Sequence, residues 1–352
     1  MTENAVLAFN ALARELVSET KLDPLRAVRV YAILSTTQYE ICYELHESDC
    51  LGAALVCGSS FVLGELFPAH RAVIQQTHDA LVRTGAAGCE SCCRTAQGIG
   101  QEILHWRAAD IALLLLQSVP PPPTDACRWT GTNPLGPHWG CAAPWVIRTP
   151  WKFVTVPPPC CGSDTYLQAL AEVRFLSDHR TAEQLAIAEK WGAGPGTVTP
   201  PGLWNEIAAR EIRRRRLSLI DSAQVLYLLN AAMFDAGVVA WAFKYSYWFI
   251  RPFQADPLIT TPIGRPNFPS YTSGHSTFSA AAATILAQFF PCEEEKFWNL
   301  ANEAGMSRLF GGIHFSFDNV VGLNAGNKLA KNILHSCGEL NQIGEEKWIR
   351  ET

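Results

Sequence analysis

The sequence predicts an all-α protein of two packed helix bundles. Apolar residues recur at the helical period of about 3.6 over most of the chain, and strand-like alternation is scarce. One proline-rich stretch divides the helical segments into two groups, so residues 1–118 form a first bundle, 119–162 a connecting loop segment and 163–340 a second bundle.

In the first group, "AVLAFNALARELVS", "PLRAVRVYAILSTTQYEICYEL", "AHRAVIQQTHDALVRT" and "GIGQEILHWRAADIALLLLQS" each keep an apolar stripe. The connecting stretch runs from Pro120–Pro123 through "PWVIRTPWKFVTVPPP". It has no helical period and reads as an ordered loop over the surface. Helices resume with "SDTYLQALAEVRFLS", where Ser163 or Asp164 can cap. "TAEQLAIAEKWG" follows, then "PPGLWNEIAAREIRRRRLSLI", which starts on prolines. The arginines between Arg210 and Asp221 read as a solvated helix face. The nearest approach to a membrane span, Val225–Phe243, is broken by Asn230 and Asp235.

Composition narrows the function classes. With 48% hydrophobic and 17% charged residues among 352, the chain is globular, and a net charge of −5 argues against nucleic acid as a partner. No basic segment followed by an apolar run opens the chain, so a soluble, cytoplasmic protein without a membrane span is expected, with export by another route left open. The twelve cysteines are then expected as reduced thiols. Cys89, Cys92 and Cys93, with Cys160 and Cys161 elsewhere, give one Cys-x-x-Cys spacing, where a strong zinc signal needs two.

Three segments carry chemistry. In "WAFKYSYWFIRPF", Lys244 and Arg251 lie seven apart, about two helical turns, so both cations are expected on one face of a helix that Pro252 stops. Two snorkelling surface cations are the bland alternative. In "FPSYTSGHSTFSAAAATILAQFF", Ser273, Gly274 and His275 sit at a helix start, where unpaired N–H groups favour an anion; a plain capping serine would look the same. In "SRLFGGIHFSFDN", Arg308 closes a helix, Gly311 and Gly312 break it, and His314 precedes Asp318 by four, a spacing at which carboxylate and ring can meet. Together they offer three cations, a hydroxyl, helix N–H groups and two histidines, which suits a tetrahedral oxyanion such as phosphate or vanadate.

The order Lys-x6-Arg-Pro, Pro-Ser-x-x-Ser-Gly-His, Ser-Arg-x5-His-x3-Asp resembles the vanadium-dependent haloperoxidases and the acid phosphatases that share their fold. Here it reads Lys244, Arg251, Pro252; Pro269, Ser273, Gly274, His275; Ser307, Arg308, His314, Asp318. The resemblance, supported by "RTAEQLAIAEKW", "TPPGLWNEIA" and "NAAMFDAGVVAW", covers most of residues 1–335, the first third loosely. It implies that fold, with vanadate bonded to His314. Lys244, Arg251, Ser273, Gly274 and Arg308 would hold the oxygens, His275 would exchange protons, and Asp318 would support the metal-bound ring. It also implies an apolar halide pocket walled by Trp241 and Phe268. The implied partners are hydrogen peroxide, halide and a small organic acceptor, and a homodimer is expected by analogy. The alternative is a soluble phosphohydrolase, acting on a phosphate monoester or prenyl diphosphate, with phosphate in the same pocket and His314 as nucleophile.

Overall fold

A computed structural model of the chain describes residues 4–83, 89–116 and 127–343. Pro120–Pro123 and the expected boundary at 118 lie outside the described residues. The helices are α1 (Ala5–Glu19), α2 (Pro24–Leu45), α3 (Leu51–Leu66), α4 (Arg71–Arg83), α5 (Glu90–Trp106), α6 (Ala109–Leu115) and α7 (Asp164–Asp178). They continue with α8 (Ala182–Lys190), α9 (Thr199–Arg215), α10 (Leu219–Tyr247), α11 (Pro252–Ala255), α12 (Gly274–Phe289), α13 (Glu294–Phe310) and α14 (Ser316–Ile343). Among the described residues no strand forms; Arg128–Phe249 and Pro195–Thr197 are isolated bridges. The all-α reading holds.

Helix starts follow cap chemistry. Asn4, Asp23, Ser163, Ser218 and Ser273 each accept a first-turn N–H, and Thr181 and Gln184 form a reciprocal capping box. Each cap satisfies donors that would otherwise be unpaired.

The core is organised around α10. It is long and apolar enough to cross a membrane, yet its apolar stretch is covered by other helices, with α2 on one side and α12 on another. The two polar residues inside that stretch are anchor points. Asn230 exchanges hydrogen bonds with Asn205 of α9 at 2.7 and 3.0 Å, and Asn205 accepts from Asn10 of α1 at 2.8 Å. Asp235 accepts the backbone N–H groups of Trp145, Val146 and Ile147, the last two at 2.9 Å. Buried polar groups of this kind fix relative position as well as energy, since each would cost about 1–3 kcal/mol if left unpaired.

The described part of the proline-rich segment differs from the surface loop expected. Trp129, Trp139, Trp145 and Phe153 are all buried. Trp145 stacks edge-on against Phe234 of α10 at 4.8 Å, and the Arg107 guanidinium lies 4.5 Å from the Trp145 ring centroid. Burial of several large aromatic side chains, each worth about 1.5–3 kcal/mol, explains why a segment without helical period is pinned to the core. The expectation of reduced cysteines also fails in part: Cys57 pairs with Cys93 and Cys127 with Cys161. The first disulfide joins α3 to α5, and the second closes the segment between α6 and α7 on itself.

α12 and α14 approach closely because Gly322 and Gly326 present no side chain between them. A Cβ on Gly322 would stand 2.8 Å from the Ser273 carbonyl oxygen, and one on Gly326 would collide with the Thr277 carbonyl oxygen. Backbone cannot yield as a side-chain tip does, so substitution here separates the helix carrying Ser273 from the helix carrying Asp318. Gly326→Val is expected to destabilise the fold by about 1–3 kcal/mol, read as a lower midpoint in denaturant with unchanged slope.

Candidate oxyanion site

The site forms where the ends of α10, α12, α13 and α14 meet. α10 does not run through to Arg251 as the seven-residue spacing suggested. It ends at Tyr247, with Trp248 in the left-handed conformation. Arg251 adopts an extended backbone in front of Pro252, which opens α11. A residue before proline is pushed away from helical angles, so the proline acts one residue earlier than a simple stop. Lys244 and Arg251 still face one place, because the chain folds back between them.

Both cations are completely buried, and Arg308, at the end of α13, is 1% exposed. The loop before α12 turns its carbonyls inward to receive them. Lys244 Nζ donates to the carbonyls of Pro269 at 3.0 Å and Ser270 at 2.9 Å, and also to Thr272. Arg251 donates to Phe268 at 3.0 Å, Pro269 at 3.2 Å and Ile313 at 2.6 Å. Arg308 donates to the Ala188 carbonyl at 2.9 Å and the Ser307 hydroxyl at 2.8 Å.

His314 and Asp318 meet, although not within one continuous helical turn. His314 precedes α14, and Asp318 lies in the first turn, where it accepts the Phe315 N–H at 3.1 Å. Asp318 Oδ2 stands 2.9 Å from His314 Nδ1. The carboxylate therefore fixes the proton on Nδ1, and Nε2 keeps its lone pair, 3.0 Å from Arg251 Nη1. Ser270 donates to the same Oδ2 and lies 3.3 Å from His314 Nδ1. Ser270 was not singled out from the sequence, although the quoted Pro-Ser-x-x-Ser-Gly-His pattern contains it.

Ser273 caps α12, and its Oγ accepts from the Ser276 N–H at 3.3 Å and the Ser276 hydroxyl at 2.8 Å. The Ser276 hydroxyl also lies 2.7 Å from the Asn319 side-chain oxygen, so its one proton is shared between two acceptors. Gly274 follows as the first helical residue; a Cβ there would meet the Trp241 ring at 3.3 Å. His275 lies beside it, half-buried, with Nε2 2.9 Å from the Trp191 carbonyl. That bond makes Nε2 the donor and leaves the Nδ1 lone pair available.

Gly274, His275, Arg308 and His314 line a cavity of about 500 Å³, and Trp241 and Phe268 form its apolar wall, ring centroids 5.1 Å apart. Lys244 and Arg251 pack beneath Phe268, 5.2 and 5.0 Å from its ring centroid. The site thus gathers three buried cations against one buried carboxylate. Titration reflects that imbalance. Burial lowers Arg251 to about 9, with Asp318 opposing, and burial followed by Arg251 lowers Arg308 to about 9. Burial first, then Arg251 and Lys244, hold His314 well below its ordinary value. Burial and Arg308 do the same to His275. Burial raises Asp318 to about 6, with Ser270 opposing.

Comparison with known proteins agrees with this architecture. Residues 224–336, which contain every charged residue of the site, match the PAP2 superfamily model. A vanadium chloroperoxidase of Curvularia inaequalis is 26% identical over 122 residues, and a non-specific acid phosphatase of Providencia stuartii is 30% identical over 170. Those matches cover 26% and 46% of this chain, and the chain spans 20% and 65% of the two relatives' lengths. The first bacterial vanadium-dependent iodoperoxidase to be solved superposes with a TM-score of 0.79 at 22% identity, over 93% of this chain and 95% of that one. A bacterial vanadium-dependent chloroperoxidase gives 0.74 at 13% identity, over 94% and 96%. The fold is that of the bacterial vanadium haloperoxidases. Within it, residues 224–336 carry the PAP2 superfamily domain.

The depressed histidines set a direction for stability against pH. Below about pH 6.5 an unfolded histidine takes up a proton that His275 and His314 in the folded chain refuse, so the unfolded state binds more protons and stability falls on acidification. Asp318, raised to about 6, works in the opposite sense between its unfolded value and that pH. A comparison with a single-histidine variant isolates the histidine part. Without added oxyanion, His275→Gln is expected to lose less stability than the parent between pH 6.5 and 5, by up to about 2 kcal/mol, measured by denaturant titration at each pH.

Proposed function

We propose that the cavity binds a tetrahedral oxyanion and that the chain is a vanadate-dependent haloperoxidase, oxidising halide with hydrogen peroxide to a hypohalous acid equivalent. The observation that carries this reading is the uncompensated charge: Lys244, Arg251 and Arg308 are buried around a single buried carboxylate. Buried cations require partners, and a multiply charged oxyanion supplies the missing negative charge. The donor set fits vanadate, because His314 offers a neutral Nε2 whose tautomer is fixed from behind by Asp318.

In this reading His314 Nε2 is the metal ligand. Arg251, Arg308 and Lys244 neutralise the oxygens, and the Ser273 hydroxyl and Gly274 N–H donate to them. Vanadate held there would act as a Lewis acid that activates hydrogen peroxide without changing oxidation state. His275 moves the protons: its Nε2–H is held by the Trp191 carbonyl, so Nδ1 takes up and returns a proton at the cavity wall. Trp241 and Phe268 exclude water from one side, an environment that suits a weakly hydrated halide better than a phosphate ester's polar leaving group.

The rival reading places phosphate in the same cup, with His314 as nucleophile, and draws on the likeness to the Providencia stuartii acid phosphatase. A paired assay separates them. With orthovanadate, peroxide and bromide or iodide, the protein is expected to halogenate a phenolic dye. His275→Gln should keep vanadate binding while losing about 10²–10⁴ of that rate. Asp318→Asn should weaken vanadate binding itself by about 10–100-fold. Hydrolysis of a phosphate ester by vanadate-free protein, with no dye halogenation under any condition, would replace this reading with the phosphatase.

A further inference from the structure

Away from the cavity, in the first group of helices, the thiol groups of Cys50, Cys89 and Cys92 converge. Their sulfur atoms all lie within 4.8 Å of one another, and each residue is half-buried. Cys50 is the N-cap of α3, Cys89 is the N-cap of α5, and Cys92 sits in the first turn of α5. Neither N-cap thiol makes a side-chain cap bond; the sulfurs face one another instead. Helix starts favour negative charge, which suits sulfur ligands held on a cation there. Ser48 supports the group: its hydroxyl accepts the Cys50 N–H at 3.2 Å and lies 3.6 Å from Cys92 Sγ.

We propose that Cys50, Cys89 and Cys92 bind a zinc ion that clips the start of α3 to the start of α5, with solvent as the fourth ligand. Three sulfurs are one too many for a disulfide and the number a three-cysteine tetrahedral site requires. At a Zn–S distance of about 2.3 Å, ligand sulfurs stand about 3.8 Å apart, and the three sulfurs already lie within 4.8 Å of one another. Partial exposure leaves a path for the ion and room for the solvent ligand. The neighbouring Cys57–Cys93 disulfide already holds the same two helices in register, so the cluster is presented by a fixed frame. Binding expels the thiol protons and leaves the sulfurs as thiolates on the ion; no oxidant or reductant is consumed. This site is independent of the oxyanion cavity and stands or falls separately from it.

The test uses the full chain, incubated with zinc chloride, desalted anaerobically, and analysed for metal and protein. About one zinc per chain is expected, with loss of at least tenfold of that content in Cys89→Ser and in Cys50→Ser, and no loss in Cys141→Ser, an exposed thiol elsewhere. Cobalt in place of zinc should give an intense near-ultraviolet thiolate charge-transfer band that the same two variants lack. Circular dichroism of each variant separates loss of ligand from loss of fold, and release of zinc from the parent chain by a thiol-modifying mercurial gives the same answer without any variant. Zinc content no higher than that of Cys89→Ser would overturn the proposal. So would a disulfide joining two of the three cysteines in the native chain, mapped by mass spectrometry of a non-reduced digest.

Discussion

Burying three positive charges in one place is the constraint from which the rest of the C-terminal half follows. An isolated buried cation is so costly that it normally loses its charge, and here only one carboxylate stands nearby. The chain meets the cost with main-chain carbonyls. Lys244 and Arg251 together draw on the carbonyls of residues 268, 269, 270, 272 and 313. A loop whose oxygens are committed inward is held at the angle that sends the first N–H groups of α12 toward the cavity. The carbonyl cradle is thus also what aims the start of α12 at the cavity. The oxyanion proposed for the cup would relieve the remaining repulsion, which would link affinity to stability there.

The site was legible in its residue types and less so in its backbone. Lys244, Arg251, Ser273, Gly274, His275, Arg308, His314 and Asp318 could be picked out because permanent cations, a capping serine and a histidine four before an aspartate are unusual company for one another. Their spacing was a weaker guide. The seven residues between the two cations looked like two turns of helix, whereas the chain leaves the helix at Trp248 and re-enters one at Pro252. Periodicity is silent about such reversals. The carbonyls of Pro269, Ser270, Thr272, Trp191 and Ala188 are as much part of the site as the side chains they hold. Backbone acceptors leave no mark on a sequence.

Most helices could be read from caps and apolar stripes, which are local signals; α3, rich in small residues and without a capping side chain, was not singled out, and the stretch read as one helix after Gly98 is broken between α5 and α6. What lacked a local signal was the behaviour of residues 127–163. Proline content marked the segment as irregular, and irregular was taken to mean superficial. Its tryptophans decided otherwise: Trp139 and Trp145 insert beside Phe234, and Asp235 takes three consecutive N–H groups from the strip that Trp145 begins. Asn230 and Asp235, read from the sequence as interruptions of an apolar run, are the points at which α10 grips its surroundings.

The Cys127–Cys161 bond turns that strip into a covalent hoop threaded onto the protein by its indoles. A backbone severed once between those two cysteines leaves both fragments tethered, and the aromatic anchors on either side of the cut remain seated. This irregular stretch can for that reason be nicked between the two cysteines without the two halves of the molecule parting company.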